Sequence, residues 1–126
     1  MTQEKDPNGK SLHEPGAKAD AGKIRPGLVF RSFARALWEV AEVGTYGAKK
    51  YSDDGWLSVP KASERYEDAD LRHMLKRWMG EECDKDTDIL HLAHQAWNAL
   101  AKLELALRAK ETANAHPIFD SAEARN

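Results

Sequence analysis

The sequence predicts an all-α fold, and three observations predict it. Three long segments carry apolar residues at the three- and four-residue spacing of helix faces. No stretch alternates apolar and polar residues over a useful length, so no strand is expected. Turn signals, Asp53-Asp54-Gly55 with Pro60 and then Gly80, separate the three segments.

The elements follow in chain order. Residues 1–20 are rich in Lys, Gly, Pro and Asp and read as loop or disorder, with 1–17 taken as a flexible N-terminal segment. Residues 21–28 look like a structured lead-in with turns. The first helix is expected from about Ser32, its N-cap, to Lys50. A loop over 51–63 follows. Ser63 is expected to cap a second helix over roughly 64–80, stopped by Gly80. After a short acidic connection over 81–87, Asp88 is expected to cap a third helix over roughly 88–110. The folded domain is thus placed at 18–110 and a frayed C-terminal tail at 111–126.

The helix faces fall out at about 100° per residue. In the first helix Phe33, Leu37, Val40, Ala41, Gly44 and Ala48 form an apolar stripe, and Glu39 and Glu42 lie opposite, near Val43 and Tyr46. In the second, Leu71, Met74, Leu75 and Trp78 form the stripe, with Glu67 and Asp68 flanking it and Asp70 at its edge. In the third, Ile89, Leu92, Ala93, Ala96, Leu100, Leu103 and Leu107 form one stripe. Leu90, Trp97, Ala101 and Leu105 extend it, leaving a narrow polar arc of His91, Gln95, Asn98 and Lys102. A helix so apolar all round is buried on most sides, and three short helices cannot bury it alone. Oligomerisation is therefore expected.

The bulk numbers set limits. A chain of 126 residues with 41% hydrophobic content suits one soluble domain with one core. A net charge of −2 provides no global field for nucleic acid or an anionic membrane surface. No apolar run approaches the ~20 residues of a membrane span, and Met1 to Asp20 lacks the apolar centre of a signal peptide. A single Cys83 excludes an internal disulfide and fits a reducing cytoplasm. Its acidic neighbours Glu81, Glu82 and Asp84 disfavour a thiolate nucleophile.

Two acidic pairs carry the chemistry. Residues three apart share a helix face, so Glu39 with Glu42, and Glu67 with Asp70, can each aim two carboxylates at one spot. Two such helices packed antiparallel would gather four carboxylates, which is tolerated when a hard divalent cation neutralises them. For Glu39 and Glu42 the competing reading is a solvated charged face; for Glu67, Asp68 and Asp70 it is stabilisation of the first helical turn. Arg72, His73, Lys76 and Arg77 either pair with those acids or grip phosphates. Lys18, Lys23 and Arg25 stand in a Gly-containing lead-in able to fold over a triphosphate, and Lys49 and Lys50 close the first helix. No Walker-type loop is present. Among the aromatics, Tyr46, Tyr51 and Trp56 offer stacking faces for a nucleobase. His91 and His94, with Cys83 or Asp88, make a weak zinc signal lacking a further Cys or His nearby.

Taken together, Glu39-x-x-Glu42 and Glu67-x-x-Asp70 resemble the signature of the all-α nucleoside triphosphate pyrophosphohydrolases, the MazG superfamily. The resemblance narrows on four segments: Lys18-Ala-Asp20-Ala-Gly22-Lys23-Ile-Arg25-Pro26, Thr45-Tyr-Gly-Ala-Lys-Lys-Tyr51, Arg65-Tyr66-x-Asp68-Ala69-x-Leu71-Arg72-His73 and His91-Leu-Ala-His94-x-Ala-Trp97-Asn98-Ala-Leu100. In these the chain is similar to phage dATP/dGTP diphosphohydrolases, including the MazZ enzymes of phages that replace adenine with 2-aminoadenine. The broader family often has a further Glu where this chain has Trp38.

The resemblance implies a MazG-like helical bundle completed as a dimer or tetramer in the cytoplasm of an infected cell. It implies Mg²⁺ or Mn²⁺ held by Glu39, Glu42, Glu67 and Asp70, with Asp68 as the rival ligand in the second motif. It implies cleavage of (d)GTP or dATP to the monophosphate and pyrophosphate. Glu39 or Glu42 would orient the attacking water. Lys18, Lys23, Lys50, Trp56, Arg72, His73 and Asn98 would bind the substrate. Neither nucleic acid nor a membrane is an expected partner. The reading from another class is a non-catalytic helical oligomer, a phage interaction module that uses its acids only for solubility and pairing.

Overall fold

A computed structural model describes residues 3–114, and there the regular structure is helical, apart from one isolated antiparallel bridge between Cys83 and Leu90. A one-turn helix α1 (Gly27–Phe30) leads into α2 (Ala34–Lys50). A 3₁₀ turn over Gly55–Ser58 precedes α3 (Ala62–Trp78), and a long α4 (His91–Asn114) closes the fold. No described helix is long and apolar enough to cross a membrane.

The helix starts differ from the sequence reading for a common reason: backbone groups take the bonds assigned to side-chain caps. Phe33, not Ser32, precedes α2, and the chain is already coiled there, because Phe33 N–H donates to Val29 O and Leu37 N–H to Phe33 O. Before α3 the turn is made by Pro60 and a left-handed Lys61 (φ 53°), so the helix begins before Ser63 can cap it. Asp88 is also left-handed (φ 59°) and belongs to the turn before α4, its N–H donating to Asp84 O. α4 then runs to Asn114, past the expected end near residue 110.

The stop of α3 at Gly80 follows the sequence. Glu81 N–H donates to Lys76 O and Gly80 N–H to Arg77 O, with Gly80 at φ +98°. This pairing is the Schellman arrangement, which needs a left-handed residue at that point.

At the N-terminus a buried Asp6 organises the turns. Its carboxylate accepts from the N–H groups of Asn8 (2.8 Å), Lys10 (3.2 Å) and Lys18 (3.0 Å). The Lys18 and Lys10 bonds hold the Asp6 carboxyl below its ordinary value.

α4 lies between α2 and α3, packing most extensively on α3. The buried apolar centre is small: Val43 from α2, Ile89 just before α4 and Ala93 in its first turn, with Leu90 and Trp97 against them and Ala101 further along. Val43 projects from the side of α2 that also carries Glu39. The expected stripe is less covered, and Phe33 is exposed. The faces of α3 and α4 are likewise turned from expectation. His91 and Asn98 from the polar arc are buried, and Gln95 and Lys102 are half-buried against α3. Leu92, Leu100, Leu103 and Leu107 are exposed, as are Leu71, Leu75 and Trp78 of α3. Two polar stripes that satisfy each other's hydrogen bonds are packed together; Ile89, Ala93, Trp97 and Ala101 of the expected apolar face stay inside, and these leucines of both helices are left outward.

Candidate functional site

The α3–α4 seam is built from side chains at helical spacing on both partners. On α3 these are Glu67, Asp70, His73 and Arg77; on α4 they are His91, Gln95 and Lys102. Lys102 Nζ donates to Glu67 Oε2 at 2.6 Å and to Asp70 Oδ2 at 2.8 Å. Gln95 donates to Asp70 Oδ1 (3.2 Å) and accepts from Arg77 Nε (3.0 Å). The Asp70 and Glu67 bonds together push Lys102 above its ordinary value, so it stays a cation at neutral pH.

Nearer the head of α4 the seam becomes a histidine cluster. His91 Nδ1 lies 2.8 Å from His73 Nδ1, and His91 Nε2 lies 2.9 Å from Glu81 Oε2. The bond from His91 keeps Glu81 below its ordinary value, so that carboxylate is an acceptor and His91 carries its proton on Nε2. His94 stacks on His73, with ring centroids 4.4 Å apart and planes within 5°, and its Nε2 bonds Thr87 Oγ1 at 2.8 Å. Burial, with His94 and His91 close by, pushes His73 down to about 4, and burial lowers His94 too. Asp84 completes the group: one ligand atom each from His73, Asp84 and His91 lie within 4.8 Å of one another. Among the described residues this is the set of His, Cys, Asp and Glu side chains close enough to hold a metal ion.

The residues singled out by the sequence are distributed as follows. Glu67 and Asp70 are brought together, on Lys102. Asp68 is exposed on the same helix. Glu39 is half-buried and its charge is felt at Cys83, while Glu42 is exposed and accepts from Trp38 Nε1 at 3.1 Å. Within one chain the α2 pair and the α3 pair do not form a common cluster among the described residues. Lys18 is exposed; Lys23 meets Glu4 at 3.4 Å; Lys50 is exposed, its ammonium 5.4 Å from the Tyr51 ring centroid. Arg72 is exposed. Asn98 is buried and donates to His94 O at 2.8 Å.

Trp56 packs edge-on against Trp97 and Tyr66, and its carbonyl accepts from the Tyr66 hydroxyl at 3.1 Å. It lines an apolar groove of roughly 400 Å³ between α2 and α4, with Val40, Gly44, Trp97, Leu100 and Leu103. Burial, with Asp88, Glu82 and Glu39 nearby, pushes the Cys83 thiol up, in line with its expected inertness.

Sequence reasoning missed Asp84 and Lys102 as parts of a site. Periodic polar residues on α4 facing periodic polar residues on α3 were the available signal. The weak zinc reading named His91, but joined it to His94, Cys83 or Asp88, whereas the cluster pairs it with His73 and Asp84.

A family model described as dATP/dGTP diphosphohydrolase, N-terminal, matches residues 13–115. No curated protein and no solved structure matches the chain.

Proposed function

The chain belongs to the dATP/dGTP diphosphohydrolase family, and on that premise we propose that it is a metal-dependent nucleotide pyrophosphohydrolase converting (d)GTP or dATP to the monophosphate and pyrophosphate. The observation that carries the metal dependence is the convergence of Glu67 Oε2 and Asp70 Oδ2 on one cation, the Lys102 ammonium. Hard carboxylate oxygens aimed at one positive charge are the donor set that Mg²⁺ or Mn²⁺ takes. Glu39, Glu42, Glu67 and Asp70 would hold the ion, with Asp68 as the rival. When bound, the ion neutralises phosphate oxygens and lowers the pKa of a water.

The remaining roles belong to the chain itself. A water oriented by Glu39 or Glu42 attacks a phosphorus of the α–β linkage, and the bridging oxygen leaves with one of the two fragments. Lys18, Lys23, Lys50 and Arg72 offset the charge on the phosphates. His73 is not one of them, because burial keeps it uncharged at neutral pH. The purine is assigned to the groove beside Trp56 and Trp97, whose walls are mostly apolar.

The outward Leu71, Leu75, Trp78, Leu100 and Leu103 support assembly as a dimer or tetramer, through which α2 and α3 acids of different copies would meet. The biological role that fits is phage nucleotide metabolism, with the monophosphate feeding 2-aminoadenine supply.

The test is ion-exchange product analysis with Mg²⁺ or Mn²⁺ and each of dGTP, dATP, dCTP and dTTP. Monophosphate with intact pyrophosphate from the purines is the expected result. Turnover of none would favour the second reading, a helical interaction module, for which the Lys102 clamp is the supporting observation: there the acids serve pairing alone.

A further inference from the structure

We propose that His73, Asp84 and His91 form a binding site for a first-row transition dication of the Zn²⁺ class, distinct from the acidic pairs, which clasps α3 to the head of α4. The three donors come from three places in the chain: His73 from α3, Asp84 from the connection, and His91 from the first position of α4. Two imidazole nitrogens and one carboxylate oxygen suit Zn²⁺ and its neighbours rather than Mg²⁺, which takes oxygens in octahedral array.

Two of the three donors are already in ligand form, and His73 reaches it by a change of tautomer. Glu81 accepts the Nε2–H of His91, which leaves His91 Nδ1 facing His73 Nδ1. A carboxylate behind a histidine is the usual outer partner of a metal-bound imidazole, fixing its tautomer and orientation. His73 is neutral at physiological pH. Burial pushes the Asp84 carboxyl up, but N–H bonds from Thr87 (3.0 Å) and Asp86 (2.9 Å), with His94 and His73 near, outweigh it and keep it ionised. Both N–H groups go to Oδ1, so Oδ2 is left for another partner among the described residues.

The nitrogens now sit 2.8 Å apart, a distance for sharing one proton. Two Zn–N bonds of about 2.0 Å at a tetrahedral angle need about 3.3 Å, so the rings must part by roughly half an ångström. The ion takes the place of that proton, which moves to His73 Nε2 so that the ring stays neutral and offers Nδ1 as a ligand. His94 is not a ligand, because its Nε2 is committed to Thr87 and its ring face to His73.

The experiment titrates Zn²⁺, and separately Mg²⁺, into the metal-free full chain without nucleotide, reading stoichiometry by calorimetry and Tm by circular dichroism. One Zn²⁺ per chain is expected, with a rise in Tm that equimolar Mg²⁺ does not reproduce. Asp84→Asn keeps the Oδ1 acceptor for Asp86 and Thr87 and removes the charged ligand; it should weaken Zn²⁺ more than tenfold. His73→Gln should do the same and carries the test if Asp84→Asn fails to fold. No stoichiometric Zn²⁺ uptake, or wild-type affinity in the folded variants, overturns the site. Nucleotide turnover plays no part in the readout, so failure here leaves the hydrolase reading standing, and the reverse also holds.

Discussion

Lys102 reaches from α4 to α3 and sets its ammonium 2.8 Å from Asp70 Oδ2, on the carboxylate pair that the sequence marks for a divalent cation. The same nitrogen holds Glu67 at 2.6 Å. An intramolecular cation thus stands where an exogenous one is proposed, and the two would compete. Asp70 is the more covered of the acids, so its pairing with Lys102 contributes most.

Replacing Lys102 with Met keeps the stem and removes the charge. Without metal, stability in urea should fall by about 1–2 kcal/mol, because two partly covered carboxylates lose their counter-charge. With Mn²⁺ present the loss should shrink, and Mn²⁺ should bind more tightly than to the wild type. An Mn²⁺ response equal to that of the wild type would argue against Glu67 and Asp70 as ligands.

Glu42→Gln should abolish pyrophosphate release while leaving the helical circular dichroism spectrum intact. Gln retains an oxygen to accept from Trp38 Nε1, so the local fold survives. The charge is what disappears. Full activity in this variant would remove the α2 pair from the mechanism.

Acid should destabilise the protein well before its carboxylates titrate. His73 drops from 6.5 in the unfolded chain to about 4 in the fold, so between those values the unfolded state binds the extra proton. Stability is therefore full above pH 6.5 and is lost as pH falls toward 4. The effect reaches on the order of 3 kcal/mol if fully expressed, less the screening that the exposed part of the ring allows. His94, also lowered by burial, acts in the same direction. Urea midpoints at pH 7.5, 6 and 5 check this, and a flat profile over that range would contradict it.

Gly80→Ala isolates the stop signal of α3. A Cβ there meets nothing within 4 Å, so any cost comes from the backbone at φ +98°. About 1 kcal/mol of destabilisation is expected, read as a lower Tm.

The three long helices were legible in the sequence because their length and punctuation are local properties; Gly80 stops α3 through bonds within four residues of itself. The faces were not. Periodicity arguments place apolar stripes inward, yet here His73, Asp70 and Arg77 find partners in His91, Lys102 and Gln95, and a polar seam with satisfied bonds packs as well as an apolar one. The capping residues failed for a related reason: Val29, Lys61 and Asp84 offer carbonyls to the backbone N–H groups around each helix start, so side-chain caps were not required. Glu67 and Asp70 were found as a pair from spacing alone, but their neighbour Lys102 lies 32 residues from Asp70, beyond any local rule.

The short return from Gly80 through the Cys83–Leu90 bridge has a kinetic meaning. It folds α3 and α4 against each other through a small closed loop, so the contacts of that pair cost little chain entropy to form. α2, separated in sequence from its packing partner α4 by the whole of α3 and anchored mainly by Val43, has less to hold it. The α3–α4 hairpin is therefore the natural first cooperative unit of folding, and α2 is the part of the chain that opens first from the native state.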